Sequence, residues 1–262
     1  MSFWAPLRGA RAAVVFLTRI PMGAFPYVAE EWQWAPAHFP LVGALLGGIL
    51  GAVFKLLSPL GAPVAAVFTL ATSLLLTGAF HEDGFADTSD ALGGAFGRER
   101  GRGREKVFEI LKDSRVGTYG ACALIVSLGG RAALLARLGP DALWALPLVG
   151  CAARVGPIWQ LVALPYVTPA AAARSSSVTR ARPPQALVAT AWLGVVVSVI
   201  GVVHPLAPLR IAALLVVTIA ITGVTALTYA RRVGGVTGDF LGATEQLCEL
   251  GGFAALAWGL AA

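Results

Sequence analysis

The most chemically suggestive feature of the sequence is a short acidic segment that contains Glu82, Asp83, Asp87 and Asp90. If this segment is helical, the three aspartates are spaced i, i+4 and i+7 and share one face of the helix. Mg²⁺ is usually held by one or two carboxylates together with water and substrate phosphates. The spacing therefore predicts a Mg²⁺ site. The alternative is a solvated acidic helix start that the helix dipole stabilises.

A second segment, residues 109–120, supplies candidates for phosphate binding. It contains Lys112 and Arg115, followed by Gly117 and Thr118 at the start of an apolar run. Backbone amides at a helix N-terminus, with cations beside them, form an anion-binding site. The segment therefore predicts phosphate binding. The alternative is a basic anchor at a membrane surface followed by a helix cap.

Charged residues also occur inside apolar runs, where ionised groups are costly and usually functional. Arg154 is predicted to reach an anionic substrate or to pair with Glu245 or Asp239. Arg131 is predicted to do the same or to extend its guanidinium to the outer interface. Glu245 and Glu249 are one helical turn apart, so both are expected to face the interior of a bundle or a wet cavity.

The composition indicates what must position these residues. Of 262 residues, 57% are apolar and 13% are charged, against roughly 45–50% and 25% in soluble domains. Several apolar runs of about 18–22 residues are long enough to cross a bilayer as helices. The chain is therefore predicted to be all-α, a polytopic integral membrane helix bundle in contact with the lipid bilayer. The net charge of +6 is attributed to cytoplasmic loops and not to nucleic-acid binding.

The sequence predicts about seven transmembrane helices in a single domain over residues 1–262. An N-terminal interfacial helix is expected before them, with Arg8, Arg11 and Arg19 on its polar side. The predicted spans are 37–57, 62–80, 117–137, 142–164, 185–203, 207–230 and 241–261.

The basic residues predict the orientation of these spans. By position, 15 of the 20 Lys and Arg residues lie on the side of the N-terminus, in the longer polar connections. Because positively charged loops stay in the cytoplasm, that side is predicted to be cytoplasmic. The segment 81–116 is then a cytoplasmic active-site loop.

The chemical segments resemble the cobalamin synthase family, whose members are adenosylcobinamide-GDP ribazoletransferases. The matching stretches occur in the family's order at 16–21, 38–43, 78–90, 112–120 and 237–243. The most specific ones are His81-Glu82-Asp83-Gly84-Phe85-Ala86-Asp87-Thr88-Ser89-Asp90 and Lys112-Asp113-Ser114-Arg115-Val116-Gly117-Thr118. The chain departs from the family pattern after Tyr166, where Val167-Thr168-Pro169 stands in place of an arginine and glycines.

The resemblance implies a Mg²⁺-dependent, multi-pass enzyme of the bacterial inner membrane whose active site faces the cytoplasm. A ribose hydroxyl of α-ribazole, or of its 5′-phosphate, would attack the cobinamide-linked phosphorus of adenosylcobinamide-GDP and release GMP. Phosphoryl transfer of this kind needs charge neutralisation and in-line positioning. Mg²⁺ binding is expected from Asp83, Asp87 and Asp90, completed by Asp239 and Glu245. Proton transfer is expected from His81 or from a carboxylate such as Glu82 or Asp83. Substrate or phosphate binding is expected from Lys112, Arg115, Arg154 and Arg19.

Two other functions would also use clustered aspartates or charged residues inside a membrane. A phosphatidyltransferase of the CDP-alcohol type also uses clustered aspartates on membrane helices, but here no arginine follows Ala86 and the aspartate spacing differs. A secondary transporter could couple ions through Arg154 and Glu245, but no internal repeat is evident. A homo-oligomer, or association with other enzymes of the corrinoid pathway, is compatible with the sequence.

Overall fold

The computed structural model describes residues 4–23, 28–95, 100–167, 181–204 and 208–260. Within these ranges the protein is all-α, and its one β-type pairing is an isolated parallel bridge between Tyr166 and Val236. The helices are α1 Ala5–Leu17, α2 Ala29–Trp34, α3 Phe39–Leu57, α4 Ala62–Thr77, α5 Phe80–Gly94, α6 Arg100–Ile110, α7 Thr118–Leu138, α8 Ala142–Ala153, α9 Val155–Ala163, α10 Pro183–Val203, α11 Pro208–Val233 and α12 Gly238–Ala257.

The predicted all-α membrane bundle is confirmed, but the count of seven spans is not. Among the described residues, four helical stretches are long and apolar enough to cross a membrane: Ala29–Leu60, Thr118–Ala163, Pro183–Val203 and Pro208–Val233. A fifth is possible only if α4 and α5 together form one bent span. The count is lower for three reasons. The predicted spans 117–137 and 142–164 fall in one continuous helical stretch, Thr118–Ala163. Helix α4 has only 16 residues, and α12 carries acidic side chains along an otherwise apolar helix.

Helices α3 and α8 pack through small residues. A Cβ added to Gly43, Gly47 or Gly51 on α3 would lie 2.1–2.7 Å from backbone atoms of α8. Glycines four residues apart let two helix backbones approach closely, as is common inside membranes. This packing fixes α8 and, at its C-terminal end, the adjoining Arg154, whose side chain passes beside Gly43.

A sharp corner turns the chain from α4 into α5. Gly78 and Ala79 both adopt left-handed backbone conformations, with φ of 69° and 56°, and the two helices are bent by 93°. The left-handed region is unfavourable for a residue with a Cβ, so Ala79 is held there by its surroundings. As a result α5, which is rich in carboxylates, runs across the end of α4, and we treat it as lying outside the spanning helices.

The segment 81–116, predicted to be a cytoplasmic connection that carries the active site, is largely helical. This segment contains α5 and α6, followed by a short turn into α7. Helix α6 forms despite its many glycines and arginines because Val107 is buried in a cluster with Tyr229 and Val233 of α11. The predicted N-terminal helix is present as α1, where Arg8 and Arg11 lie 3.8 Å from Glu31 of α2.

Candidate functional site

The site is organised by a close crossing of α5 and α12. A Cβ added to Gly84 would lie 3.0 Å from both Cα and the carbonyl oxygen of Asp239, and one added to Gly242 would lie 3.4 Å from the carbonyl oxygen of His81. The two backbones meet here because both helices carry glycine at the crossing. The side chains of α5 are thereby divided into an outer group and an inner group.

The outer group consists of Asp83, Asp87 and Asp239. Asp83 is exposed, whereas Asp87 and Asp239 are half-buried. Partial burial, followed by the negative charges of Asp83, Asp239 and Asp90, raises the pKa of Asp87 to about 7. The three carboxylates therefore repel one another, and no lysine or arginine among the described residues forms a salt bridge with them.

Asp90 has a different environment from the other aspartates of α5. Its two carboxylate oxygens accept hydrogen bonds from the backbone N–H groups of Gly117 (2.7 Å) and Gly120 (2.8 Å). These amides belong to the first turn of α7, where N–H groups have no partner within the helix. Asp90 therefore caps α7 from a distant part of the chain, and the metal-binding role predicted for it stays a prediction that competes with this cap.

The inner group is a continuous chain of buried charges across α5, α7, α8 and α12. Glu82 pairs with Arg131 at 3.1 Å, and Arg131 pairs with Glu249 at 2.7 Å. Arg154 lies 3.3 Å from Glu249 and 2.8 Å from Glu245. The predicted pairing of Arg154 with Glu245 is confirmed, and Arg131 is buried within the bundle instead of extending to the interface.

Membership of the inner group separates Glu82 and Glu245 from the other carboxylates. Both side chains are at least nine-tenths buried and face arginines, so neither lies with the outer aspartates. The metal-binding role predicted for Glu245 stays a prediction, and it competes with the ion pair to Arg154. The acidic residues form two groups because Arg131 of α7 and Arg154, directly after α8, pair with Glu82 and Glu245 inside the bundle.

His81 lies at the end of the inner group. Its Nδ1 atom is 3.8 Å from a carboxylate oxygen of Glu245. Burial, together with the nearby positive charges of Arg154 and Arg131, lowers the pKa of His81 to about 3. The imidazole is neutral at physiological pH, so its contact with Glu245 is not an ion pair.

The predicted phosphate-binding cations lie apart from the buried charges, on the surface. Lys112 and Arg115 are exposed, and Arg115 donates hydrogen bonds to Asp113 with a closest distance of 2.6 Å. These bonds lower the pKa of Asp113 to about 2. Arg19 is also exposed, and its guanidinium lies against Gly78 at the corner between α4 and α5.

An open cleft with a volume of about 90 Å³ lies beside the inner group. We call it the aromatic cleft; its apolar lining includes Phe16, Phe39, Phe80, Leu161, Tyr166 and Leu241, and its polar end is formed by His81, Arg154 and Glu245. No single sequence pattern predicts it, because its walls come from five separate helices and from the stretch around Tyr166. The part of the 165–184 segment after Val167, up to residue 180, lies outside the described residues.

Sequence reasoning also missed a polar cluster around Gln160. This side chain is 1% exposed, donates to Thr225 Oγ1 at 2.8 Å, and accepts from Thr244 Oγ1 at 3.1 Å. A glutamine inside an apolar run was the available signal, since buried amides need partners. The cluster joins α9, α11 and α12 behind the aromatic cleft.

The described residues contain no group of three or more His, Cys, Asp and Glu side chains arranged to hold a metal ion. A Mg²⁺ site needs less than such a cage, because water and substrate phosphates complete it. The outer group fits that requirement, since the repulsion that raises the pKa of Asp87 is what a divalent cation would relieve.

Comparison with known proteins gives a consistent result. Residues 9–257 match a family model described as cobalamin-5-phosphate synthase. The chain is 38% identical to an adenosylcobinamide-GDP ribazoletransferase of Allorhizobium ampelinum, with 94% of each chain covered. It is 39% identical to the protein of the same name from Leptothrix cholodnii, covering 94% of this chain and 92% of the relative. No solved structure matches this chain.

Proposed function

The chain belongs to the cobalamin-5-phosphate synthase family, and from this premise we propose that it is a Mg²⁺-dependent adenosylcobinamide-GDP ribazoletransferase. The acceptor is α-ribazole or its 5′-phosphate, and the products are adenosylcobalamin or its 5′-phosphate together with GMP. The acceptor's ribose oxygen forms a bond to the cobinamide-linked phosphorus. The bond from that phosphorus to the oxygen of GMP breaks, and the hydroxyl proton passes to a basic group.

The observation that supports this proposal most directly is the outer group of carboxylates at the α5–α12 crossing. Asp83 and Asp87 share one face of α5, and Asp239 faces them from the first turn of α12. In the proposal these three residues hold Mg²⁺. The ion would neutralise the pyrophosphate and polarise the phosphorus under attack.

The surface cations then have a role in binding the donor. Lys112 and Arg115 lie on the turn that leads into α7, and Asp90 of α5 ties the start of α7 to the acidic helix. In the proposal they contact the diphosphate of the donor. Because Asp113 engages Arg115, phosphate binding requires Arg115 to exchange this carboxylate for the ligand. Arg19 is proposed to bind substrate from the α4–α5 corner.

In the proposal, a residue near the start of α5 accepts the proton of the attacking hydroxyl group. His81 is neutral and borders the aromatic cleft, so its imidazole can accept a hydrogen bond from a hydroxyl group. A carboxylate such as Asp83 is the other acceptor. Glu82 and Arg154 are held in ion pairs with residues of the bundle, and in the proposal they support His81 instead of contacting phosphate.

We further propose that the enzyme lies in the bacterial inner membrane with the α5–α12 crossing on the cytoplasmic side. Helix α6, which carries Arg104 and Lys106, follows α5 in the chain and packs against it. Basic residues of this kind remain on the cytoplasmic side of a membrane. The donor and the acceptor would then reach the site from the cytoplasm.

The experiment is GMP release from adenosylcobinamide-GDP and α-ribazole by the purified protein in detergent, with and without Mg²⁺. The expected result is turnover that requires Mg²⁺ and falls at least about 100-fold in Asp83→Asn or Asp87→Asn, the range for removing one charge-stabilising group. Glu109→Gln is the matched control, since Glu109 is an exposed acid of α6 that pairs only with Lys106 in the described structure. Normal Mg²⁺-dependent turnover by Asp83→Asn and Asp87→Asn would contradict the metal assignment.

A further inference from the structure

The aromatic cleft begins at the same ends of α5 and α12 that carry the outer carboxylates. Phe80 and His81 line it at the start of α5, and Asp83 and Asp87 follow within two helical turns. Leu241 and Gly242 line it from α12, directly after Asp239. A molecule in the cleft therefore lies next to the residues proposed to bind the phosphates.

The walls of the cleft are suited to a flat aromatic ring. The rings of Phe16 and Phe39 are stacked, with centroids 5.4 Å apart and an interplanar angle of 9°. Phe80 meets Phe16 edge to face at 5.4 Å and meets the His81 ring in the same way at 5.3 Å. Aromatic side chains favour these offset and edge-to-face arrangements with further rings.

The size of the cleft separates the two substrates. Its volume is about 90 Å³ and it is open at one side, so it is smaller than the pockets that enclose whole drug-sized molecules. A flat bicyclic base is the part of the acceptor that such a space can take. A corrin macrocycle with its side chains is several times larger and cannot be enclosed there.

The polar end of the cleft carries little net charge. Arg154 is balanced by Glu245 at 2.8 Å and by Glu249 at 3.3 Å. The Nε of Arg154 is buried and has no hydrogen-bond partner among the described residues. This end of the cleft therefore offers hydrogen-bonding groups to a neutral polar ligand and no unbalanced cation to a phosphate.

We infer that the aromatic cleft binds the acceptor substrate, with the aromatic bicyclic base packed against the wall formed by Phe16, Phe39 and Phe80 and the ribose directed towards His81. This inference rests on the proposed function and names the part of the site that takes the nucleoside. The cleft excludes the corrinoid donor, which binds outside it over the carboxylates and surface cations. A 5′-phosphate on the acceptor lies outside the polar end of the cleft.

The test compares Phe80→Leu with Phe68→Leu in detergent. Both phenylalanines are about half exposed (46% and 55%), but Phe68 is on α4 and does not line the cleft. In Phe80→Leu the KM for α-ribazole is expected to rise about tenfold, the loss of one aromatic contact, while the KM for adenosylcobinamide-GDP stays within about twofold. Phe68→Leu should leave both unchanged.

A second test fills the cleft with a larger side chain and compares this variant with a control. Leu161→Trp places a larger side chain in the cleft wall, and Leu187→Trp is a matched change at an exposed site of α10. Calorimetric titration with α-ribazole, and with benzimidazole as the base alone, measures binding without the donor. Leu161→Trp should abolish both binding signals, and Leu187→Trp should retain them.

The outcomes separate the two proposals. If wild-type protein binds α-ribazole and Leu161→Trp does not, the cleft assignment holds even when no GMP is released, and only the proposed reaction fails. If GMP is released but Phe80→Leu raises both KM values equally, or Leu161→Trp binds α-ribazole normally, the cleft assignment is overturned and the reaction stands.

Discussion

Gly120 donates its backbone N–H to Asp90 at 2.8 Å, across 30 residues of sequence. Asp90 thus couples the acidic helix α5 to the first turn of α7, directly after the turn that carries Lys112 and Arg115. The same carboxylate also accepts the N–H of Gly117. The relative position of the carboxylates and the surface cations therefore depends on this cap.

The cap predicts that Asp90 contributes more to stability than to metal binding. Asp90→Asn keeps one acceptor oxygen but loses the other and its charge at the N-terminus of α7. The expected loss of stability is about 1–2 kcal/mol, with an apparent Mg²⁺ affinity within about threefold of wild type. Thermal unfolding in detergent and Mg²⁺ titration of GMP release measure the two effects. A tenfold loss of Mg²⁺ affinity without destabilisation would instead make Asp90 a ligand.

Asp87 predicts a pH dependence of Mg²⁺ binding. Partial burial and the charges of Asp83, Asp239 and Asp90 raise its pKa from 3.8 to about 7, so near pH 6 a proton occupies the carboxylate and competes with the cation. Apparent Mg²⁺ affinity should rise several-fold between pH 6 and about pH 8. Without metal, the folded state binds more protons than the unfolded state between these pKa values, so stability should fall as pH rises through that window.

Calorimetric Mg²⁺ titration of the detergent-purified protein at three pH values checks this prediction. Asp87→Asn should bind Mg²⁺ weakly and lose most of the pH dependence. Glu109→Gln should behave like wild type. A wild-type affinity that does not change over this range would show that Asp87 does not titrate at the metal site.

The inner chain of charges predicts a large structural effect at Arg131. Its guanidinium is 1% exposed and pairs with both Glu82 and Glu249. Arg131→Gln leaves two buried carboxylates without this partner, and breaking a buried ion pair from one side costs about 3–5 kcal/mol. Arg8→Gln is the control, because Arg8 is largely exposed and only 3.8 Å from Glu31; its cost should be below about 1 kcal/mol. Equal unfolding temperatures for the two variants would contradict the proposed importance of the inner chain.

Local sequence patterns predicted a large part of this structure. Apolar runs predicted the long helices, since each run is long enough to satisfy its backbone hydrogen bonds within a bilayer. The cost of an ionised group at membrane depth predicted that Arg154 would need a partner such as Glu245. Helical spacing placed Asp83 and Asp87 together on α5.

The remainder depended on residues far apart in the chain. The cap on α7 could not be predicted because Asp90 lies 27 and 30 residues from the amides it binds. The division of the carboxylates into two groups depends on ion pairs with Arg131 and Arg154. It also depends on the close contact between Gly84 and the backbone of Asp239 on α12. The aromatic cleft likewise combines Phe16, Phe39 and Phe80, which share no sequence pattern.

The crossing at Gly84 gives the last prediction. A Cβ there would lie 3.0 Å from backbone atoms of Asp239, which cannot rotate away as a side chain can. Alanine is favoured over glycine inside a helix, but here overpacking should outweigh that preference, and Gly84→Ala should destabilise the protein by about 1–3 kcal/mol. It should also reduce turnover at least tenfold, because it separates Asp239 from Asp83 and Asp87. Gly129→Ala is the matched control on α7, where no atom lies within 4 Å of the added Cβ, and it should be neutral or stabilise by up to about 1 kcal/mol. Unfolding temperature and GMP release distinguish the two variants. If Gly84→Ala behaves like Gly129→Ala in both measurements, the contact between α5 and α12 does not position the outer carboxylates.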